Sequence, residues 1–212
     1  SKARYDSRRF GYIGSANRET SICFAHRDAD FKSWQDVFDR KLIVGGAGWT
    51  SSIRQYPAVL NTILGTKFEI ITGYPGSKEA MQAVEKGEVQ GTCGIQLSSF
   101  MPTNGGWIDS GLVKVFGQIG AVGGEPSMNK LGAQSIWDVV KNAEDRQVLE
   151  LIFNQSEFGR PYITPPGVPV ERLKALRDAF DATMKDPEFL AEASKAKLPI
   201  NPMGGEEFAR IV

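Results

Sequence analysis

Histidine and cysteine are scarce in this chain: 212 residues hold one His and two Cys. The single histidine, His26, ends a strand-like run and has no partner placed by any motif, so it reads as solvated or hinge-side rather than as a general base. No G-x-S-x-G elbow, H-E-x-x-H pair or cysteine cluster occurs, which removes the common signatures of hydrolases and zinc enzymes. Neither sign of charge dominates, with 25 Lys plus Arg against 25 Asp plus Glu, so no global field attracts nucleic acid or an anionic membrane. No apolar run reaches the roughly 18 residues that a membrane span needs. The first residues lack the apolar stretch of a signal peptide, a silence that says nothing of location because mature chains have lost it. Cys23 and Cys93 both sit in strand-like segments without metal-ligand spacing. Free buried thiols are favoured there over a disulfide, since free cysteine behaves as a small hydrophobe.

Glycine, by contrast, is abundant, at 23 residues or about 11% against roughly 7% on average, which suits many tight turns between short elements. The length allows one large domain or two small lobes. Short apolar runs alternate with amphipathic segments, the pattern of an α/β fold. Strands are expected at 10–13, 21–25, 41–44, 67–72, 89–95, 112–119, 159–163 and 198–202. Helices are expected around Trp34, Val37 and Phe38, from Ile53 to a stop at Gly65, from a Ser77 cap to Gly87, and over 136–140, 144–153, 170–184 and 187 onward. Pro57 predicts a kink or early break in the second of these. Residues 98–111 read as a long irregular connection and 121–134 as turn-rich. The two successive βα units predict a small parallel sheet whose strand ends open toward one crevice.

The stretch 41–52, Lys-Leu-Ile-Val-Gly-Gly-Ala-Gly-Trp-Thr-Ser-Ser, carries the most chemistry. It predicts a strand, a glycine-rich turn and a helix whose first residues bear hydroxyls. The opening N–H groups of a helix lack intrahelical partners and lie at the positive end of its dipole. Glycines let a ligand approach the main chain, and Thr50, Ser51 and Ser52 add donors, so a carboxylate or phosphate can be held without a lysine. A plain strand-to-helix turn capped by Thr50 or Ser51 fits equally well. Nucleotide loops fit worse. A P-loop needs Gly-Lys before its Ser/Thr, and Gly46-x-Gly48-x-x-Ser51 misses the third glycine of a dinucleotide fingerprint. A second strand-to-helix turn, Gly73-Tyr74-Pro75-Gly76-Ser77, would face the same crevice if its strand neighbours the first. Tyr74 then forms an amphipathic wall or simply packs, and Lys78 and Arg54 are expected to be solvated.

The segment Gly73-Tyr74-Pro75-Gly76-Ser77-Lys78-Glu79-Ala80, followed by Val84-Glu85-Lys86-Gly87-Glu88-Val89-Gln90-Gly91, resembles the second-lobe region of substrate-binding receptors of tripartite tricarboxylate transporters, the Bug-type periplasmic receptors. Gly46-Ala47-Gly48-Trp49-Thr50-Ser51-Ser52 sits where that family has its carboxylate-binding loop. Pro165-Pro166-Gly167-Val168-Pro169-Val170-Glu171-Arg172-Leu173 and Asp186-Pro187-Glu188-Phe189 are similar to its C-terminal helix entries. The resemblance covers nearly the whole chain. It implies an α/β fold of the periplasmic-binding-protein type II kind, with one complete βα lobe plus the C-terminal portion of the other. Residues 1–25 would be crossover strands and a remnant of the first lobe, 26–120 the second, ligand-binding lobe, and 121–212 the return crossover and C-terminal part of the first. Family members are longer and begin with a further βα region, so the chain is expected to be a fragment or a truncated member. The surface left by that region would favour self-association.

Carried over residue by residue, the resemblance makes Ala47, Gly48, Thr50, Ser51 and Ser52 one carboxylate cradle and Tyr74, Pro75, Gly76 and Ser77 the adjoining wall. It implies a periplasmic receptor for a small carboxylate, handing its solute to membrane permease subunits, with no catalysis, cofactor, metal or nucleic-acid partner. The chain departs from the family at Thr92-Cys93-Gly94, where such receptors often place an acid, which removes any recognition that depends on one. Two other readings stand beside this one. A protein-interaction or signalling module of the same fold would show a co-purifying partner and no small ligand. A phosphate-handling enzyme using 45–52 would lose activity with Thr50.

Overall fold

The first two strands, β1 (Gly11–Ser15) and β2 (Ser21–His26), are separated only by residues 16–20 yet belong to different sheets. The computed structural model describes residues 5–120 and 124–212, apart from the side chain of Glu157. The chain divides into two compact units, one combining residues up to Glu19 with Gln155–Val212, the other Thr20–Asn154.

In the larger unit, β2 leads to α1 (Trp34–Asp39), β3 (Leu42–Gly45), α2 (Ser52–Leu64), β4 (Phe68–Ile71), α3 (Ser77–Glu85) and β5 (Gly91–Gln96). Then come α4 (Leu97–Asn104), α5 (Gly106–Asp109), β6 (Val113–Ile119), α6 (Pro126–Lys130), the short β7 (Gln134–Ser135) and α7 (Ala143–Phe153). The six strands form one sheet in the order β4-β3-β5-β2-β6-β7. The strands β3, β4 and β5 run parallel, as two βα units require, while β2 is antiparallel to both β5 and β6. Alternate residues of β2 point to opposite faces: Cys23 and Ala25 join one apolar cluster with Trp34, Leu60 and Phe153, Ile22 and Phe24 the other with Met81, Val84 and Phe100. Covering both faces with helices explains why β2 and β5 are buried nearly throughout rather than alternating with polar positions. Trp34, fully buried, packs edge-on against Phe116 at 5.5 Å and donates its indole N–H to the Gln134 carbonyl. Its ring lies where a Cβ on Gly117 would be, 2.5 Å away, so β6 needs a glycine at that position.

The smaller unit adds β8 (Pro161–Thr164), α8 (Val170–Thr183), α9 (Pro187–Lys195), β9 (Met203–Gly204) and α10 (Gly205–Ile211). Its antiparallel sheet runs β8-β1-β9. Tyr12 and Phe208 stack at 4.8 Å over Met203, and Arg177 of α8 donates to the Tyr12 carbonyl at 2.8 Å. Of the face expected on α8, Leu173, Phe180 and Met184 are half-buried and Leu176 is exposed.

Several expectations need correction. The cysteines are joined: Cys23 and Cys93 stand opposite each other on the neighbouring strands β2 and β5 and form a disulfide, a pairing set by register that neither segment displays alone. Helix α2 runs unbroken through buried Pro57 and ends at Gly65 in the left-handed conformation. Residues 98–111 hold α4 and α5 rather than an irregular connection; Pro102 and the pair Gly105-Gly106 hide the helical pattern. No strand occupies 198–202; β9 begins at Met203. The turn-rich stretch contains α6, and its residues 121–123 lie outside the described ones. The strand β2 is central to the larger sheet, and Leu149 and Phe153 of α7 enter the core of the same compact unit.

Candidate functional site

Strands β3 and β4 are parallel neighbours, with Gly45 opposite Ile71, and the Gly46 N–H extends the pairing to the Ile71 carbonyl at 2.8 Å. On its other side β3 pairs in parallel with β5 at Val44 and Gly91. Three adjacent strands therefore end on one edge of the sheet, and each passes into a helix there. The condition for a shared crevice between the two turns is met within the larger unit. A third junction, β5 to α4 at Gln96-Leu97-Ser98-Ser99, joins them. Its signal was present in the sequence as hydroxyl residues after a buried strand, like Thr50-Ser51-Ser52.

The N-caps of these helices are Ser51, Gly76 and Gln96, all with extended backbone, and none supplies a side-chain cap. Ser77 is thus the first residue of α3 and not its cap, since Gly76 takes the non-helical dihedrals. The uncapped first-turn N–H groups leave partial positive charge at the edge. Charge sets α3 apart from the other two. Glu79 stands in the first turn of α3, and its Oε2 lies 3.1 Å from where a Cβ on Gly76 would be. The first turns of α2 and α4 carry no acid. Glu79 therefore opposes an anion at α3, while no first-turn acid opposes one at α2 or α4.

Around the α2 start, the Ser51 N–H bonds the Gly48 carbonyl at 2.9 Å, closing a tight turn that exposes Gly48, Trp49 and Thr50. Ser51 and Ser52 are half-buried, and no hydroxyl of Thr50, Ser51 or Ser52 has a protein partner among the described residues. Ala47 is buried in the cluster around Ile53 and Ala80, so only its main chain faces the turn. Of the wall, Pro75 and Ser77 are exposed, Gly76 is intermediate and Tyr74 is half-buried with its ring toward Gly45, so Tyr74 packs and also ties the two turns together. The conformational freedom of glycine is used differently from expectation. Neither Gly46 nor Gly48 has positive φ, whereas Gly73 does. Gly94 on β5 has φ +99°, and a Cβ there would lie 2.6 Å from the Ser52 carbonyl. The strand thus lies directly under the first turn of α2. Thr92 reinforces it by donating its hydroxyl to the Gly45 carbonyl at 3.4 Å.

Arg54, expected to be solvated, instead lays its guanidinium over the Trp49 ring, 3.5 Å from the centroid. Beside the edge, a cleft of about 490 Å³ runs between α3 and α4–α5, with Met81, Phe100 and Trp107 beneath Ser77, Lys78 and Ser99. A second cleft, about 400 Å³, lies at the opposite edge near His26, Phe31 and Lys114. There His26 accepts from the Asp28 N–H through Nδ1. Among the described residues no group of three His, Cys, Asp or Glu could hold a metal ion, and no helix is long and apolar enough to cross a membrane.

Solved structures share this architecture. A TctC solute-binding protein from Polaromonas, solved without ligand, aligns over 99% of this chain and 67% of its own, with a TM-score of 0.70 and 14% identity. The R. palustris protein Rpa4515, solved with adipate, aligns over 98% of this chain and 65% of its own at a TM-score of 0.64 and 14% identity. MatC (Rpa3494) from Rhodopseudomonas palustris, with bound malate, aligns over the whole chain and 69% of its own at 0.57 and 15%. Neither a family model nor a curated protein matches the sequence. The chain has the mixed α/β fold of type II periplasmic binding proteins and spans about two-thirds of the length of these structures.

Proposed function

We propose that the chain is the greater part of a periplasmic receptor that captures a small organic carboxylate and presents it to the permease of a tripartite tricarboxylate transporter, without catalysis. The observation that carries this reading is the start of α2: an acid-free first turn with no side-chain cap, preceded by an open turn and three unengaged hydroxyls at Thr50, Ser51 and Ser52. The main chain at Ala47 and Gly48 and the hydroxyls hold the carboxylate, and Tyr74, Pro75, Gly76 and Ser77 bound the site on the β4 side. Support comes from like-folded proteins solved with adipate and malate.

Titration calorimetry of adipate, malate and related acids against the protein and against the double variant T50A/S51A tests the reading. A hydrogen bond to a charged group contributes about 1.5–3 kcal/mol, so losing either hydroxyl weakens binding by about tenfold or more. Unchanged affinity in the double variant removes the cradle from the site, and no heat from any acid in the panel removes the carboxylate.

A further inference from the structure

Among the described residues of the larger unit, three arginines lie over aromatic rings: Arg40 over Phe31, Arg146 over Trp137 and Arg54 over Trp49. Two of them also have an internal counter-ion, Arg40 in Asp36 at 3.2 Å and Arg146 in Glu150 at 2.9 Å. Arg54 has none among the described residues. Its ring partner is also the odd one: Trp137 is 8% exposed and Trp49 is 79% exposed. The Arg54–Trp49 pair therefore combines an exposed aromatic with a cation that has no internal counter-ion, an arrangement open to completion by something outside the chain.

The position of the pair says what that is. Arg54 is the third residue of α2, about one helical turn from Ser51, and its Cβ lies 3.5 Å from where a Cβ on Gly46 would be, so its stem rests on the cradle turn. Stacking occupies one face of the guanidinium and leaves its edge of N–H donors free, the fork that takes a carboxylate bidentately. Resting on the carboxylate reading above, we infer that Arg54, positioned by Trp49, receives a second carboxylate of the solute and makes the site discriminate between acids by that group. Trp49 acts through Arg54: its indole face fixes the plane of the guanidinium, and its exposure keeps the fork open to the solute.

The test uses two pairs of acids of equal chain length, adipate with hexanoate and succinate with butyrate, titrated against the full chain and the variants R54Q, W49A and W49F. The quantity read is the preference for the diacid over the monoacid, which a general loss of folding does not change selectively. The wild type is expected to prefer the diacid, and R54Q to lose that preference by about tenfold or more. W49A is expected to lower it and W49F, which keeps a ring under the guanidinium, to retain most of it. If the acids bind and the preference is the same in R54Q as in the wild type, the role of Arg54 is refuted while the carboxylate reading stands. If no acid binds the wild type, both fall together.

Discussion

Reducing the Cys23–Cys93 bond should destabilise the larger unit by several kilocalories. The bond joins β2 to β5 across a sequence separation of 70. In the chain-entropy account, closing a loop of that length removes about 15 cal/mol/K from the unfolded ensemble, or about 4.4 kcal/mol at 25 °C. Both sulfurs are fully buried in the cluster around Trp34 and Phe116, so the reduced thiols keep their apolar contacts and the loss is chiefly the unfolded-state constraint. With a urea slope of about 2 kcal/mol/M, the midpoint should fall by about 2 M. The measurement is urea unfolding followed by tryptophan fluorescence with and without dithiothreitol; Trp34 and Trp137 are buried in the same unit and report on it. The C23A/C93A variant should unfold near the reduced midpoint and ignore the reductant. Two titratable thiols in the denatured, unreduced protein, or a midpoint that reductant leaves in place, would refute the reasoning.

Two further outcomes test the support of the site and an outlying cap. G94A should lose about 2–4 kcal/mol, combining a backbone conformation unfavourable to any side chain with a clash on the Ser52 carbonyl, whereas G48A, with open space around its Cβ, should stay within about 0.5 kcal/mol. Thermal unfolding of the pair, with the two indistinguishable as the contrary result, decides it. At the start of α1, burial alone would raise the Asp36 carboxyl, but bonds from the Lys32 N–H, Arg40 and Ser33 outweigh it and hold the group below its ordinary 3.8. Because the folded-state value is the lower one, this stabilisation is complete above about pH 5 and is lost as pH falls through 3.8 toward the folded value. D36N should therefore cost about 1 kcal/mol at pH 7 and progressively less as pH falls below 3.8; a cost that does not fall with pH in that range would contradict the assignment.

Short-range signals in the sequence located most elements of the fold. Apolar runs gave β2, β3 and β6, the 3.6 period gave α7 and α8, and Asp186-Pro187 opened α9 as an N-cap and first helical residue should. The glycine turn at 45–52 and the turn at 73–77 were both legible, because strand, turn and capping residues follow one another along the chain. Helix α4 escaped because Pro102 and Gly105 weaken its local pattern, while its packing through Leu97 and Phe100 holds it in place. Propensity is a weak prior where tertiary contacts override it.

What the sequence determined by itself is therefore local: which segments are strands and helices, and that a hydroxyl-bearing helix start follows a glycine turn. Everything that depends on two distant segments meeting was decided by the tertiary structure. The parallel pairing of β3 with β4 brought the two turns to one edge, register placed Cys23 against Cys93, and β5 put Gly94 under the first turn of α2. Folding also laid Arg54 on Trp49 without a counter-ion among the described residues, whereas Glu79, which sets the charge of the second turn apart, follows Gly76 by three positions and was already local in the sequence. Residue spacing along a chain fixes periodicity and caps, but the field at a site is a sum over groups that only packing brings within a few ångströms.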